Sequence, residues 1–287
     1  MTTVKMKMIL VFAAALAVAA GGCGRTGSVT AGGKERVVAA FYPLAYAAQR
    51  LGGSRVEVHN LTPAGAEPHD LEVSPGEVSQ IRSADLVLLL GHGFQPQLEA
   101  SAGGGKKVLR LLDTPGLARF ANGDPHVWLD PVRYARIVKR IAAALHREPA
   151  AGRLVAQLRD LDRTYRQGLS RCARHDIVTS HEAFAYLAQR YGLKQIAITG
   201  LSPEAEPAPK DLARVVQLVR RTGTTTVFFE TLVSPRIADT VARETGARAA
   251  VLNPIEGLTP AELKRGDDYF SLMRANLASL RRALGCR

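Results

Sequence analysis

From Val37 to Leu284, short apolar runs rich in β-branched residues alternate with segments of helical periodicity. That alternation constrains the fold more than any other feature. The spacing predicts strands over 36–40, 55–61, 86–90 and 107–112, with helices over 43–51 and 75–83. The rhythm returns with strands over 176–179, 195–199, 225–229 and 249–252 and helices over 182–191, 209–222, 235–245 and 267–284. Strands separated by helices pair in parallel, because parallel neighbours need a crossover between them. The expected fold is therefore α/β, with two lobes on parallel sheets. Between them, 131–145 and 149–169 read as consecutive helices. The second would be about 30 Å long at 1.5 Å per residue, enough to brace both lobes. No Gly/Ser hinge interrupts it, so the lobes should move little. The expected boundaries are 36–130 for the first lobe, 131–171 for the linking helices and 172–287 for the second lobe.

The first residues say where the chain goes. Lys5 and Lys7 precede an unbroken run of 12 apolar residues over 9–20. That run is too short to span about 30 Å of hydrocarbon but fits a secretory leader. Ala20, Gly21 and Gly22 stand directly before Cys23, and small residues ahead of a Cys resemble a bacterial lipobox. Residues 1–22 therefore read as a signal peptide and Cys23 as the lipid-bearing first residue of the mature chain. Ala20, where a Leu is usual, departs from the pattern. Residues 23–35 read as a flexible tether rich in Gly, Ser, Thr and Ala. The mature protein is expected outside the cytoplasm, held to the cell membrane by its N-terminal lipid. In that oxidising setting Cys172 and Cys286 could form a disulfide or remain two thiols.

Composition enters only to exclude. With 46% hydrophobic and 22% charged residues the chain is a folded globular protein, not a disordered one. The formal charge of +12 raises nucleic acid as a partner. Export, and the lack of basic residues interleaved with aromatics, argue against it. From 130 to 176 there are 11 Lys and Arg against 5 acids, and these read as a solvated face of the linking helices.

Seven His are present. His69 lies in a Pro/Gly loop after a strand, His126 just before a Pro-initiated helix and beside the single Trp, and His181 at a strand's C-terminal end. Open α/β sheets place ligands at such ends. Asn253 and Glu256 follow the last strand of the second half in a comparable place. Three imidazoles and a carboxylate would fill a tetrahedral Zn²⁺ shell, although separations of 57, 55 and 75 residues are not diagnostic by themselves. His92, after the strand at 86–90, is a spare candidate to line the site. His59, His146 and His175 read as structural or solvated.

Several motifs then align with one family. Gly65-Ala66-Glu67-Pro68-His69-Asp70, Asp124-Pro125-His126-Val127-Trp128-Leu129-Asp130-Pro131 and Thr179-Ser180-His181-Glu182-Ala183-Phe184 resemble signatures of the cluster A-I substrate-binding proteins. Gly200-Leu201-Ser202-Pro203-Glu204, Phe228-Phe229-Glu230 and Gly266-Asp267-Asp268-Tyr269-Phe270 continue the match in the same order. These are the zinc and manganese receptors of ABC uptake transporters, and the resemblance covers nearly all of the mature chain. It implies two α/β lobes joined by a long rigid helix, with metal in the cleft. It implies His69, His126 and His181 as ligands, the last being His in zinc-type members and commonly Glu in manganese-type ones. Imidazole suits Zn²⁺ and carboxylate the harder Mn²⁺, so Zn²⁺ is the expected cargo, with Mn²⁺ or iron the alternative.

Many members have a ligating Asp where Asn253 stands. Glu256 resembles the Glu that some zinc-type members use instead, leaving Asn253 nearby or as an alternative ligand. Glu230 matches an acidic position near the cleft, either orienting an imidazole or sitting in a buried ion pair. The His-rich loop of many zinc receptors has no counterpart in 112–123. The resemblance also implies a separate ABC permease and ATPase, and the receptor is expected to be a monomer.

A zinc hydrolase is the rival reading, with Glu67 or Glu182 as base. It would need an open coordination position, there is no H-E-x-x-H, and four protein ligands would close the shell. The chain is therefore expected not to be an enzyme. Zinc affinity is expected to fall as His protonates near pH 6.

Overall fold

The computed structural model describes residues 33–103, 107–117, 120 and 122–287. The expected leader over 1–22, Cys23 and most of the tether lie outside the described residues.

The first half carries β1 (Glu35–Ala39), α1 (Tyr42–Gly52), β2 (Val56–Asn60), α2 (Pro75–Ser83), β3 (Leu86–Leu89), α3 (Pro96–Ala102) and β4 (Val108–Arg110). The linking pair is α4 (Pro131–Ala144) and α5 (Glu148–Leu169). The second half carries β5 (Asp176–Thr179), α6 (Ala185–Tyr191), β6 (Lys194–Ala197), α7 (Pro209–Thr222), β7 (Thr226–Phe229), α8 (Arg236–Thr245), β8 (Arg248–Val251), α9 (Pro260–Arg265) and α10 (Tyr269–Leu284).

Each half forms a four-stranded parallel sheet, with orders β2-β1-β3-β4 and β6-β5-β7-β8. Central β3 is Leu-Val-Leu-Leu and wholly buried, as a parallel strand covered on both faces must be. In both sheets the order reverses between two adjacent central strands, β1 and β3 in the first and β5 and β7 in the second. Open α/β sheets bind ligands outside the strand carboxyl ends at such a switch point.

The linking helices tie the lobes. Asp130 caps α4, accepting from the Val132 amide at 2.9 Å and the Arg133 amide at 3.3 Å. It also pairs with Arg190 of α6 at 2.8 Å. Tyr134 Oη donates to the Pro43 carbonyl in α1 and Tyr165 Oη to the Met273 carbonyl in α10, each at 2.6 Å. The 22 residues of α5 extend about 33 Å. Its far end is joined to the C-terminus by a disulfide between Cys172 and Cys286. One apolar core runs through both sheets and the linking helices, and a smaller one lies between β5–β7 and α7–α8. Among the described residues no helix is long and apolar enough to cross a membrane.

Three elements differ from the sequence expectations. The helix expected from Glu182 begins at Ala185. The His181 carbonyl is taken by Thr179 Oγ1 at 2.7 Å and Gln195 Nε2 at 3.0 Å, and the Glu182 amide donates to the Gly200 carbonyl at 2.9 Å. Those bonds commit the backbone groups that a helix starting at Glu182 would need. α3 and α9 were not expected, and α9 has a capping box, Thr259 with Glu262, behind Pro260 at its first position.

Candidate metal centre

His69 stands on the loop leaving β2. Gly65 turns that loop at φ +89°, a conformation that favours glycine, and its amide donates to the Leu258 carbonyl of the second half at 2.8 Å. Glu67 Oε1 accepts from the His69 amide at 3.1 Å. The buried Gln95 Nε2 donates to the Pro68 carbonyl at 3.1 Å. Phe94 lies edge-on to the imidazole, ring centres 4.7 Å apart.

His126 is fully buried. Asp124 Oδ1 accepts both its amide, at 2.9 Å, and its Nδ1, at 2.7 Å. Nε2 is therefore aimed away from Asp124, toward Glu256 Oε1 at 2.7 Å. Trp128 packs beside the ring at 5.2 Å between centres, and its Nε1 donates to the Pro254 carbonyl at 2.8 Å. One side chain thus supports the imidazole of one lobe and the loop of the other.

His181 follows β5, and its Nδ1 faces Glu230 Oε1, at the end of β7, at 2.6 Å. Its Nε2 is 3.8 Å from Glu256 Oε1 and has no hydrogen-bond partner among the described residues.

Glu256 comes from the loop after β8. The preceding Ile255 has φ +59°, strained for a β-branched residue and costing on the order of 1–3 kcal/mol. Asn253 enforces it: Oδ1 accepts from the Ile255 amide at 2.7 Å, and Nδ2 donates to Glu262 Oε1 at 3.0 Å and Thr231 Oγ1 at 3.1 Å. Asn276 clamps the Asn253 backbone from both sides, at 2.7 and 2.8 Å. The result points a fully buried carboxylate at the imidazoles, with His69 Nε2 3.3 Å from Glu256 Oε1.

The candidate ligand atoms of His69, His126, His181 and Glu256 all lie within 4.8 Å of one another. Burial alone would lower the His181 imidazole, but the hydrogen bond to Glu230 and the nearby Glu256 charge push it up to about 10. The same contest, with Asp124 and Glu256 as partners, raises His126. Burial would raise Glu256, yet the three imidazoles hold it well below the usual carboxylate range. Glu67 is pushed up to about 9, by burial first and the Glu256 charge second.

Three imidazoles and one carboxylate suit a tetrahedral Zn²⁺ shell. Carboxylates on the outer nitrogens of His126 and His181 are the supports that orient ligating imidazoles. The orphaned His181 Nε2 and Glu256 Oε2, both buried, fit a group that bonds to both.

Two further sequence candidates are held by other partners. His92 Nε2 pairs with Asp113 Oδ1 at 2.7 Å on an exposed loop and is not among the clustered groups. Asn253 has both ends of its amide bonded within the protein, Oδ1 to the Ile255 amide and Nδ2 to Glu262 and Thr231. His59, His146 and His175 are exposed. Sequence reasoning gave Asp124 no role, though an Asp two residues before a His was a signal. It noticed Glu67 only as a hydrolase base.

The family described as zinc-uptake complex component A, periplasmic, matches residues 37–283. The zinc-binding protein AdcA of Streptococcus pyogenes serotype M6 is 33% identical over 88% of this chain and 56% of its own. The chain thus spans about half the length of that relative. The high-affinity zinc uptake system protein ZnuA of Bacillus subtilis is 33% identical, with 88% of each chain covered. Among solved structures, the Zn(II)-bound ZnuA-like domain of Streptococcus pneumoniae AdcA is 34% identical. That match covers 88% of this chain and 99% of the domain with a TM-score of 0.75.

Proposed function

The chain belongs to the periplasmic zinc-uptake component A family, and from that premise we propose that it captures Zn²⁺ outside the cytoplasm and delivers it for uptake. His69, His126 and His181 bind through Nε2 and Glu256 through its carboxylate. The observation that carries this reading is the convergence of those four buried or nearly buried groups within 4.8 Å. They come from four separate loops at strand carboxyl ends of both lobes. Asp124 and Glu230 fix which imidazole nitrogen faces the ion. Four protein ligands leave no open position for a reacting water, so the chain is a carrier and not an enzyme.

The ion passes to an ABC permease driven by a separate ATPase. The receptor works as a monomer, tethered by a lipid on Cys23. The curated relatives' names for zinc support the cargo, and imidazole at position 181 supports Zn²⁺ over Mn²⁺.

The test is metal analysis of the purified chain, then Zn²⁺ against Mn²⁺ competition on wild type and Glu256→Ala. Retained Zn²⁺, with affinity falling at least about tenfold in the variant, supports the assignment. Retention of Mn²⁺ against excess Zn²⁺, or an unchanged constant in the variant, overturns it.

A further inference from the structure

The zinc reading gives Glu256 Oε2 a partner but leaves Glu67 Oε2 and Glu230 Oε2 unexplained. Glu67, Glu230 and Glu256 each offer a carboxylate oxygen, and those oxygens lie within 4.8 Å of one another. In each residue Oε1 serves the histidines. Glu67 Oε1 accepts from the His69 amide at 3.1 Å, Glu230 Oε1 faces His181 Nδ1 at 2.6 Å, and Glu256 Oε1 faces His126 Nε2 at 2.7 Å. In each, Oε2 is buried with no hydrogen-bond partner among the described residues. The side chains of Glu230 and Glu256 are 1% and 0% exposed. Buried carboxylate oxygens are ordinarily hydrogen-bonded, and leaving one unpaired is unfavourable. Three side by side also repel one another. A tetrahedral zinc shell employs only Glu256 of the three.

We propose that Glu67, Glu230 and Glu256 form a second, oxygen-only cation position beside the three histidines, selective for a hard divalent ion of the Mn²⁺ type. The inference rests on the zinc reading above, because Glu256 belongs to both positions. Carboxylate oxygens without imidazole suit hard cations, which complete their shells with water. The solvent side of the cluster is the Glu67 side. Glu67 is half-buried and the His69 side chain is 13% exposed, whereas the other members are 0–1% exposed. A cation arriving from solvent therefore meets the Glu67 side first. Sharing Glu256 lets an ion move from the carboxylates to the imidazoles by exchanging two ligands while keeping the third.

The test uses the full chain stripped of metal and titrated with Mn²⁺ at pH 8. Electron paramagnetic resonance counts bound ions, and spin-echo modulation reads nitrogen coupling. The expected result is one bound Mn²⁺ without imidazole ¹⁴N modulation. Glu67→Gln, which keeps the oxygen that accepts from the His69 amide, should weaken Mn²⁺ about tenfold more than it weakens Zn²⁺. Strong ¹⁴N modulation would place the ion among the histidines and overturn the proposal. So would no Mn²⁺ binding, or equal losses for both metals in the variant. Zinc titrated in parallel separates the two claims: a wild-type chain that binds Mn²⁺ through oxygen but no Zn²⁺ refutes the zinc reading alone.

Discussion

Zinc capture should depend steeply on pH well above the range set by an ordinary imidazole. Burial works against a proton on His181, but Glu230 and Glu256 overcome it and hold the ring at about 10. His126, between Asp124 and Glu256, is raised as well. In the metal-free chain at pH 7 His181 is therefore protonated, and zinc must displace that proton. Raising the pH removes the competitor. Apparent affinity then increases about tenfold per pH unit for each proton displaced, or about 1.4 kcal/mol. From pH 7 to 9 the gain is about 100-fold from His181 alone, with His126 adding to it. The sequence alone placed this dependence near pH 6, because the carboxylates behind the rings were not visible there. Competition with a chelator of known affinity across that range measures the slope. Calorimetry in buffers of different ionisation heat counts the protons, with at least one expected at pH 7.5. A flat affinity from pH 7 to 9 with no proton release would refute the reasoning. The sign for folding is opposite. The raised His181 stabilises the metal-free fold below its unfolded value of 6.5, and that stability fades as pH rises toward about 10. Glu256, lowered from 4.5, contributes above that value and is lost on acidification. Glu67, raised from 4.5 to about 9, stabilises the fold below 4.5 and loses that contribution as pH rises from there toward about 9.

Other consequences follow from single contacts. Glu230→Ala removes the partner of His181 Nδ1 and should weaken zinc binding about 10- to 100-fold; an unchanged constant by chelator competition would detach Glu230 from the site. Trp128→Phe keeps most of the packing but leaves the buried Pro254 carbonyl without its donor. It should lower stability by about 1–3 kcal/mol in denaturant unfolding, and a loss below about 0.5 kcal/mol would show that the bond matters little. Cys172 and Cys286 close a span of 114 residues. Replacing both with Ser should cost about 2–5 kcal/mol by the same measurement, and equal stability of the two chains would contradict that.

The alternation of apolar strands and amphipathic helices made the two lobes legible, because parallel sheets need buried strands with crossovers between them. α2 and α7 begin and end where the sequence placed them, both starting at a proline. α9 carries the same kind of start signal as α2, Thr259-Pro260-Ala261-Glu262 beside Ser74-Pro75-Gly76-Glu77, but only six residues of helix follow it and periodicity has nothing to act on. His69, His181 and Glu256 were legible as residues in loops after strands, and His126 as one just ahead of a Pro-initiated helix. Their convergence was not, since it depends on how the strand ends of two lobes face each other. Asn253 illustrates the limit. Its place beside Glu256 suggested a ligand, whereas its amide holds Ile255 in the turn that aims Glu256. Side-chain bonds across nine and twenty-three residues leave no periodic trace.

X-ray absorption of the zinc-loaded chain tests the central claim most directly, since it reads the donor atoms themselves. The account predicts a four-coordinate ion with three imidazole nitrogens and one carboxylate oxygen at about 2.0–2.2 Å. Fewer than three imidazoles around the zinc, or a shell dominated by oxygen or sulfur, would contradict it.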